Sequence, residues 1–218
     1  DTGKLTLKKR SCFSVMNHKT EYYLENVVET FGNANEWYLD KDSGMLYYIP
    51  RCESQTPDNI NVYAPLTDIL INITGTADSP VRNIRFRDIK FAYTRGDYDS
   101  YMGVHGEESG EFYASDAQAV ANAKGVINLE YAEYCTFDNC KWMNYGIHGI
   151  NIFKGCNNIK VLNSTFYDGG AGGIKLTGVG LNGDEKDITH SNTIRNNTIH
   201  KCGRRHMSAC GILMMHSH

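Results

Sequence analysis

The chain has 218 residues and a formal charge of −3, and that length can bury a sizeable core. Its pI is near 6.2 and its lysines and arginines form no basic stripe, which argues against nucleic acid as a partner. No apolar run reaches the ~18 residues of a helical membrane span, which excludes such a span but not export.

Fourteen tyrosines, 21 glycines and frequent asparagine favour β structure with tight turns over helices. Residues 1–60 carry no internal repeat. Within them Tyr22–Val27 reads as a strand or a helical turn, and Glu36–Pro50 as a hairpin turning at Asp42-Ser43-Gly44. We therefore expect a small β-rich insertion-type subdomain over 1–60, joined near Asn61–Ala64 to a second region over 61–218.

That second region is periodic. Ile84–Phe91, Cys135–Trp142, Ile159–Phe166 and Asn192–Ile199 share one signature, with Asp88, Asn139, Asn163 or Asn196 at its fifth position. Apolar alternation breaks across that Asp or Asn, so two short strands meet there at a corner, where asparagine tolerates the left-handed backbone. Short strands led by Gly125, Gly149, Gly173 and Gly211 run in phase with it, the first three glycines 24 residues apart. Three short strands and three turns in about 24 residues predict a parallel β-helix, its coils stacked at about 4.8 Å. Asn139, Asn163 and Asn196 would then hydrogen-bond in a ladder.

Departures from the period mark loops, which in solenoids often carry the binding face. An excursion within 94–122 is rich in tyrosine and acid, including Asp97, Asp99, Glu107, Glu108 and Glu111. A nine-residue insert around 178–189 brings Asp184, Glu185, Asp187 and His190, and extra residues near Arg204, Arg205 and His206 precede Gly211. Gly169, Gly170, Gly172 and Gly173 lie at the bend before the strand at 174–176. Neither a Lys-Ser/Thr pair nor a helix follows them, so they read as a crowded bend and not as a phosphate cradle. Ile212–His218 opens one more coil, which reads as a longer protein's fragment with Ile212 and Met214 uncovered and prone to association.

The seven cysteines include no CxxC pair, and an odd count leaves no complete disulfide framework, so they read as small buried thiols. Asn72, Asn163 and Asn196 match the glycosylation pattern, which in an asparagine-rich chain carries little weight. His206, His216 and His218 lack metal-ligand spacing, and no metal is expected.

Taken together, "EWYLDKDSGMLYYIP", "PVRNIRFRDIKFAYT", "YDGGAGGIKL", "THSNTIRNNTIHKCGRR" and "SACGILMMHSH" resemble secreted right-handed parallel β-helix glycoside hydrolases of the family 141 type. The resemblance implies α-L-fucosidase or xylanase action on plant cell-wall polysaccharide, by a bacterium, through paired carboxylates. It also implies a secreted, periplasmic or cell-surface location and no cofactor. Related chains often read His-Asp-Gly-Gly where this one reads His200-Lys201-Cys202-Gly203, which removes a candidate carboxylate.

Glycoside hydrolysis needs two carboxyl groups about 5–9.5 Å apart. The corner column reads Asn144, Asp168, Lys201, so Asp168 is the catalytic candidate, and its partner comes from the 184–187 loop, with Glu185 folding back, from the acidic excursion or from further coils. Alternatively Asp168 is a structural partner of Lys201. The glycines around Asp168 would let a polymer approach the backbone closely. Outward positions Asn151, Lys175 and Leu213, with Asn128 or Glu130 one coil earlier, would line a sugar groove. His190, Arg204 and His216 join Asn151 and Lys175 as expected substrate contacts. A polysaccharide lyase is the alternative enzyme, with Lys175, Arg204 or Arg205 as base beside Ca²⁺, and a non-catalytic carbohydrate-binding or adhesion solenoid is the third reading.

Overall fold

The chain turns its corners on single left-handed residues. One column of them is Asn83, Tyr134, Asn158 and Ser191, a second is Asp88, Asn139, Asn163 and Asn196, and a third is Tyr93, Asn144, Asp168 and Lys201. All have φ between 51° and 63°, a region that asparagine enters at low cost. The computed structural model describes residues 24–96, 119–179 and 183–217 and the two short strands Arg10–Ser11 and Phe112–Tyr113. Its contacts divide into two units, Ser14–Tyr63 and Asp1–Phe13 with Ala64–His218, and Arg10–Ser11 sits in the larger one by pairing with Phe112–Tyr113.

Between the corners run three parallel sheets of four or five strands, with a shorter parallel pair, Val81–Arg82 and Ala132–Glu133, ahead of the first corner column. The first stacks Ile71–Thr74, Gly125–Glu130, His148–Ile152, Ile174–Thr177 and Ile212–Met215. The second stacks Arg85–Arg87, Thr136–Asp138, Lys160–Leu162 and Thr193–Arg195, and the third Lys90–Ala92, Lys141–Tyr145, Thr165–Gly169 and Thr198–His200. This is a right-handed parallel β-helix. The register follows the two signatures except at one point: Gly125 lies opposite His148 and not Gly149, one residue from the expected phase. Strand Ile212–Met215 is the outermost of the first sheet, and Ile212 and Met214 are exposed.

Inward rows make the core. Ile127, Ile150 and Ile174 stack in the first sheet, and Phe86 stacks on Phe137 in the second at 4.9 Å between ring centres. In the third, Trp142 lies 4.4 Å from Phe166 and 5.0 Å from Phe91. Cys135, Cys140 and Cys156 fill inward positions as buried free thiols, and burial pushes Cys156 up to about 12. Cys52 and Cys210 are exposed, and Cys12 lies outside the described residues.

The corner ladder forms, with one substitution of partner. Asn139 donates to Asp88 at 2.6 Å and Asn196 to Asn163 at 2.8 Å, but Asn163 donates to Asp138, the residue before Asn139.

The smaller unit holds an antiparallel hairpin, Trp37–Asp40 with Met45–Tyr48. Its turn is built on Asp40, whose carboxylate accepts from the Ser43 hydroxyl and the Asp42 amide, while Gly44 takes φ 71°. Leu24–Val27 forms no strand, and Val28–Thr30 is a single 3-10 turn.

Candidate functional site

Asp168 stands at the corner where the third sheet passes to the first. Its Oδ2 accepts from Asn144 Nδ2 at 2.7 Å, and the Arg204 guanidinium lies 3.4 Å from Oδ1. The side chain keeps about a third of its surface, 34%, so it remains open to solvent. The ion pair is with Arg204 and not with Lys201: the Lys201 ammonium lies over the Tyr167 ring, 5.4 Å from its centre. Arg204 is brought there by the loop after Lys201, whose amides at Arg204 and Arg205 bond to the carbonyls of Gly169 and Gly170.

That loop corrects the expectation for the glycines. Gly169, Gly170, Gly172 and Gly173 are buried, and no polymer reaches their backbone. A Cβ on Gly170 would strike the Gly146 carbonyl one coil away, and one on Gly172 the Cys210 carbonyl on the other side. Close stacking of successive bends requires glycine here. Beneath them Tyr145 is buried with its hydroxyl 3.1 Å from Cys202 Sγ, and burial drives its ionisation far above the ordinary tyrosine range.

The outward row of the first sheet reads Asn72, Asn128, Asn151, Lys175, Leu213, which settles the earlier alternative in favour of Asn128 over Glu130. Asn151 donates to Asn128 at 3.2 Å, and its own Oδ1 is buried with no partner among the described residues. The row is not an open groove. Residues 119–123 lie across it as a strap, and Lys175, only 4% exposed, donates to the carbonyls of Ala121 and Ala123 at 2.7 and 2.6 Å. Val120 and Ala123 pack on Ala171 beneath.

His148 is a residue that sequence reasoning missed. It is fully buried; Nδ1 accepts from the Gly172 amide at 3.2 Å, so Nε2 carries the proton and donates to the Val120 carbonyl at 3.0 Å. Its one signal, a lone histidine before the Gly149 strand, could not reveal a partner 28 residues away.

Glu185, His190 and His216 lie elsewhere. Glu185 is exposed in the 3-10 turn Glu185–Asp187, which follows the strand Ile174–Thr177, whereas Asp168 precedes that strand. Four strand residues at about 3.3 Å each separate the two ends. The two carboxylates are not brought together. The insert is anchored by Asp187, which accepts from Tyr131 at 2.6 Å and pairs with Lys154 at 2.9 Å. Those two contacts hold the Asp187 carboxyl below its ordinary range. His190 continues a row with Glu133 and Asn157, its Nδ1 3.0 Å from Ser191 Oγ, and His216 follows the strand Ile212–Met215, again at the far end from Asp168. Of the expected residues, Asp168 meets Arg204, and Asn151 lies beside Lys175 in the covered row of the first sheet. The acidic positions at 97–111 lie outside the described residues. Among the described residues no group of histidine, cysteine or carboxylate side chains is arranged to hold a metal, and no helix is long and apolar enough to cross a membrane.

Comparison with known proteins agrees with this geometry. Residues 71–218 match the sequence family described as "Right handed beta helix region". A solved structure titled "Glycoside hydrolase" superposes with a TM-score of 0.69 at 20% identity, over 87% of this chain and 36% of that one, so the chain spans about a third of its length. No curated protein matches the sequence.

Proposed function

We propose that this chain, which belongs to the right-handed β-helix family, is the carbohydrate-recognising part of a glycoside hydrolase. The observation that carries the reading is Asp168: a solvent-open carboxylate at a sheet corner, on a fold shared with a glycoside hydrolase. Both its oxygens face donors, so it is arranged to accept a proton or to attack, and not to act as the acid. Arg204 and Asn144 hold it in place for that role. Its neighbours in the column are Asn144 and Lys201, so the second carboxyl group comes from outside the column. The resemblance in the repeat and hairpin motifs supports fucosidase or xylanase action on plant cell-wall polysaccharide. It also supports placement outside the cytoplasm. The lyase reading loses support, because Lys175 is bound to two carbonyls and Arg204 to Asp168.

The test is release of reducing sugar from xylan and from fucosylated polysaccharide by the full-length protein, with and without Asp168→Asn. Asparagine already serves the same corner at Asn144, so the variant should keep its stability within about 1 kcal/mol while turnover disappears. Unchanged turnover in the variant overturns Asp168 as the catalytic group. Products that absorb in the ultraviolet would show elimination, and absence of turnover on both glycans would overturn the reading as a whole.

A further inference from the structure

Charge on the solenoid is sorted by face, which corrects the impression of a chain with no basic stripe. The segments 84–92, 134–145, 158–169 and 191–205, which make the second and third sheets and their corners, hold nine lysines and arginines against three aspartates. The chain as a whole carries −3. Asp138 is matched by Arg85 at 3.0 Å and Asp168 by Arg204 at 3.4 Å. Among the described residues the two outward rows of the third sheet hold no carboxylate, and Asp168, at the corner end of that sheet, is the one matched by Arg204. Lys90 and Lys141 lie side by side in one outward row, and Tyr167 and His200 in the other. Lys90, Lys141 and His200 are exposed, and Tyr167 is half-buried with its ring centre 4.8 Å from that of His200.

We propose that the outer face of the third sheet binds an anionic glycan, one bearing carboxylate or sulfate groups. Lys90, Lys141 and Lys201 meet its charges, and Tyr167 with His200 supplies ring surface for the sugar. Coils repeat at about 4.8 Å, close to the length of one sugar residue, so successive acidic residues can meet successive coils. A single-stranded nucleic acid would need a series of aromatic platforms for its bases, and this face offers one tyrosine beside one histidine. The face adjoins Asp168 at its corner end and is separate from the covered row of the first sheet; binding to it is read without turnover, so its test is distinct from that of the hydrolase reading.

The experiment is affinity electrophoresis and calorimetry with polygalacturonate, dextran sulfate, neutral xylan and poly-dT. Binding of one or both anionic glycans, weakened by added salt and lowered roughly five- to tenfold by Lys90→Gln with Lys141→Gln, is the expected result. Whichever glycan binds identifies the anionic group. Tyr167→Ala should also weaken it, and Lys124→Gln with Lys186→Gln, which removes the same charge elsewhere, should not. Absence of binding to either anionic glycan, equal loss in the control pair, or tighter binding of poly-dT overturns the proposal.

Discussion

Lys175 shows how one residue can satisfy a sequence rule and still do something else. It occupies the outward row its spacing assigned, yet its ammonium ends on the carbonyls of Ala121 and Ala123 and not on a ligand. A buried charge is tolerable only when such donors and acceptors are matched, and removing one partner leaves the others stranded. Lys175→Met should therefore cost roughly 1–3 kcal/mol in urea unfolding. Cleavage between residues 119 and 124 by a nonspecific protease should rise with it. A variant as stable and as protease-resistant as the parent would show that the strap is held by other contacts. His148 works on the same strap, its Nε2 donating to the Val120 carbonyl.

At the scale of the elements, the corner columns carry both shape and electrostatics. Asn163 holds φ 52° and donates to Asp138, and this is the leading cause of the Asp138 carboxyl lying below its usual range, ahead of Arg85. Asn163→Ala loses the hydrogen bond and pays the left-handed penalty, about 1–3 kcal/mol together, whereas Asn163→Gly should lose less because glycine accepts that backbone freely. A lowered folded value means the stabilisation from Asp138 is present above the unfolded carboxyl value of about 4 and lost as pH falls through the folded one. Acid unfolding monitored by circular dichroism should accordingly begin less steeply in either variant than in the parent, and equal destabilisation by alanine and glycine would contradict the backbone part of the account. The column of Asp88, Asn139, Asn163 and Asn196 was legible because each corner is coded locally, by an Asn or Asp between two apolar positions, whereas Tyr93, Tyr134, Ser191 and Lys201 take the same backbone without that signal. The strap was not, because its partners lie 28 to 54 residues away and nothing in 119–123 announces a docked segment. Glu185 failed as a partner for Asp168 for a similar reason: the insert's length is readable, but its direction is set by Tyr131 and Lys154 on the neighbouring coil. The basic face was hidden because stacking gathers charges that lie far apart in the chain, as Lys90 and Lys141 do at 51 residues.

Over the whole solenoid, stability passes between neighbouring coils, since each buries its inward face only against the next. Trp142, the largest fully buried side chain among the described residues, lies between Phe91 and Phe166 on the coils to either side. Its indole Nε1 is also buried without a hydrogen-bond partner among the described residues. Two opposing effects can therefore be separated with two variants. Trp142→Phe leaves a small void but removes the stranded donor, so its net cost should stay below about 1.5 kcal/mol. Trp142→Ala removes the stack on both sides and should cost about 3–5 kcal/mol. Because the loss falls on two interfaces at once, amide exchange should quicken in the strands holding Phe91 and Phe166 as well as in Lys141–Tyr145. Exchange that quickens only in Lys141–Tyr145 would mean that the coils open independently, and a phenylalanine variant as unstable as the alanine one would mean that the indole nitrogen has a partner after all.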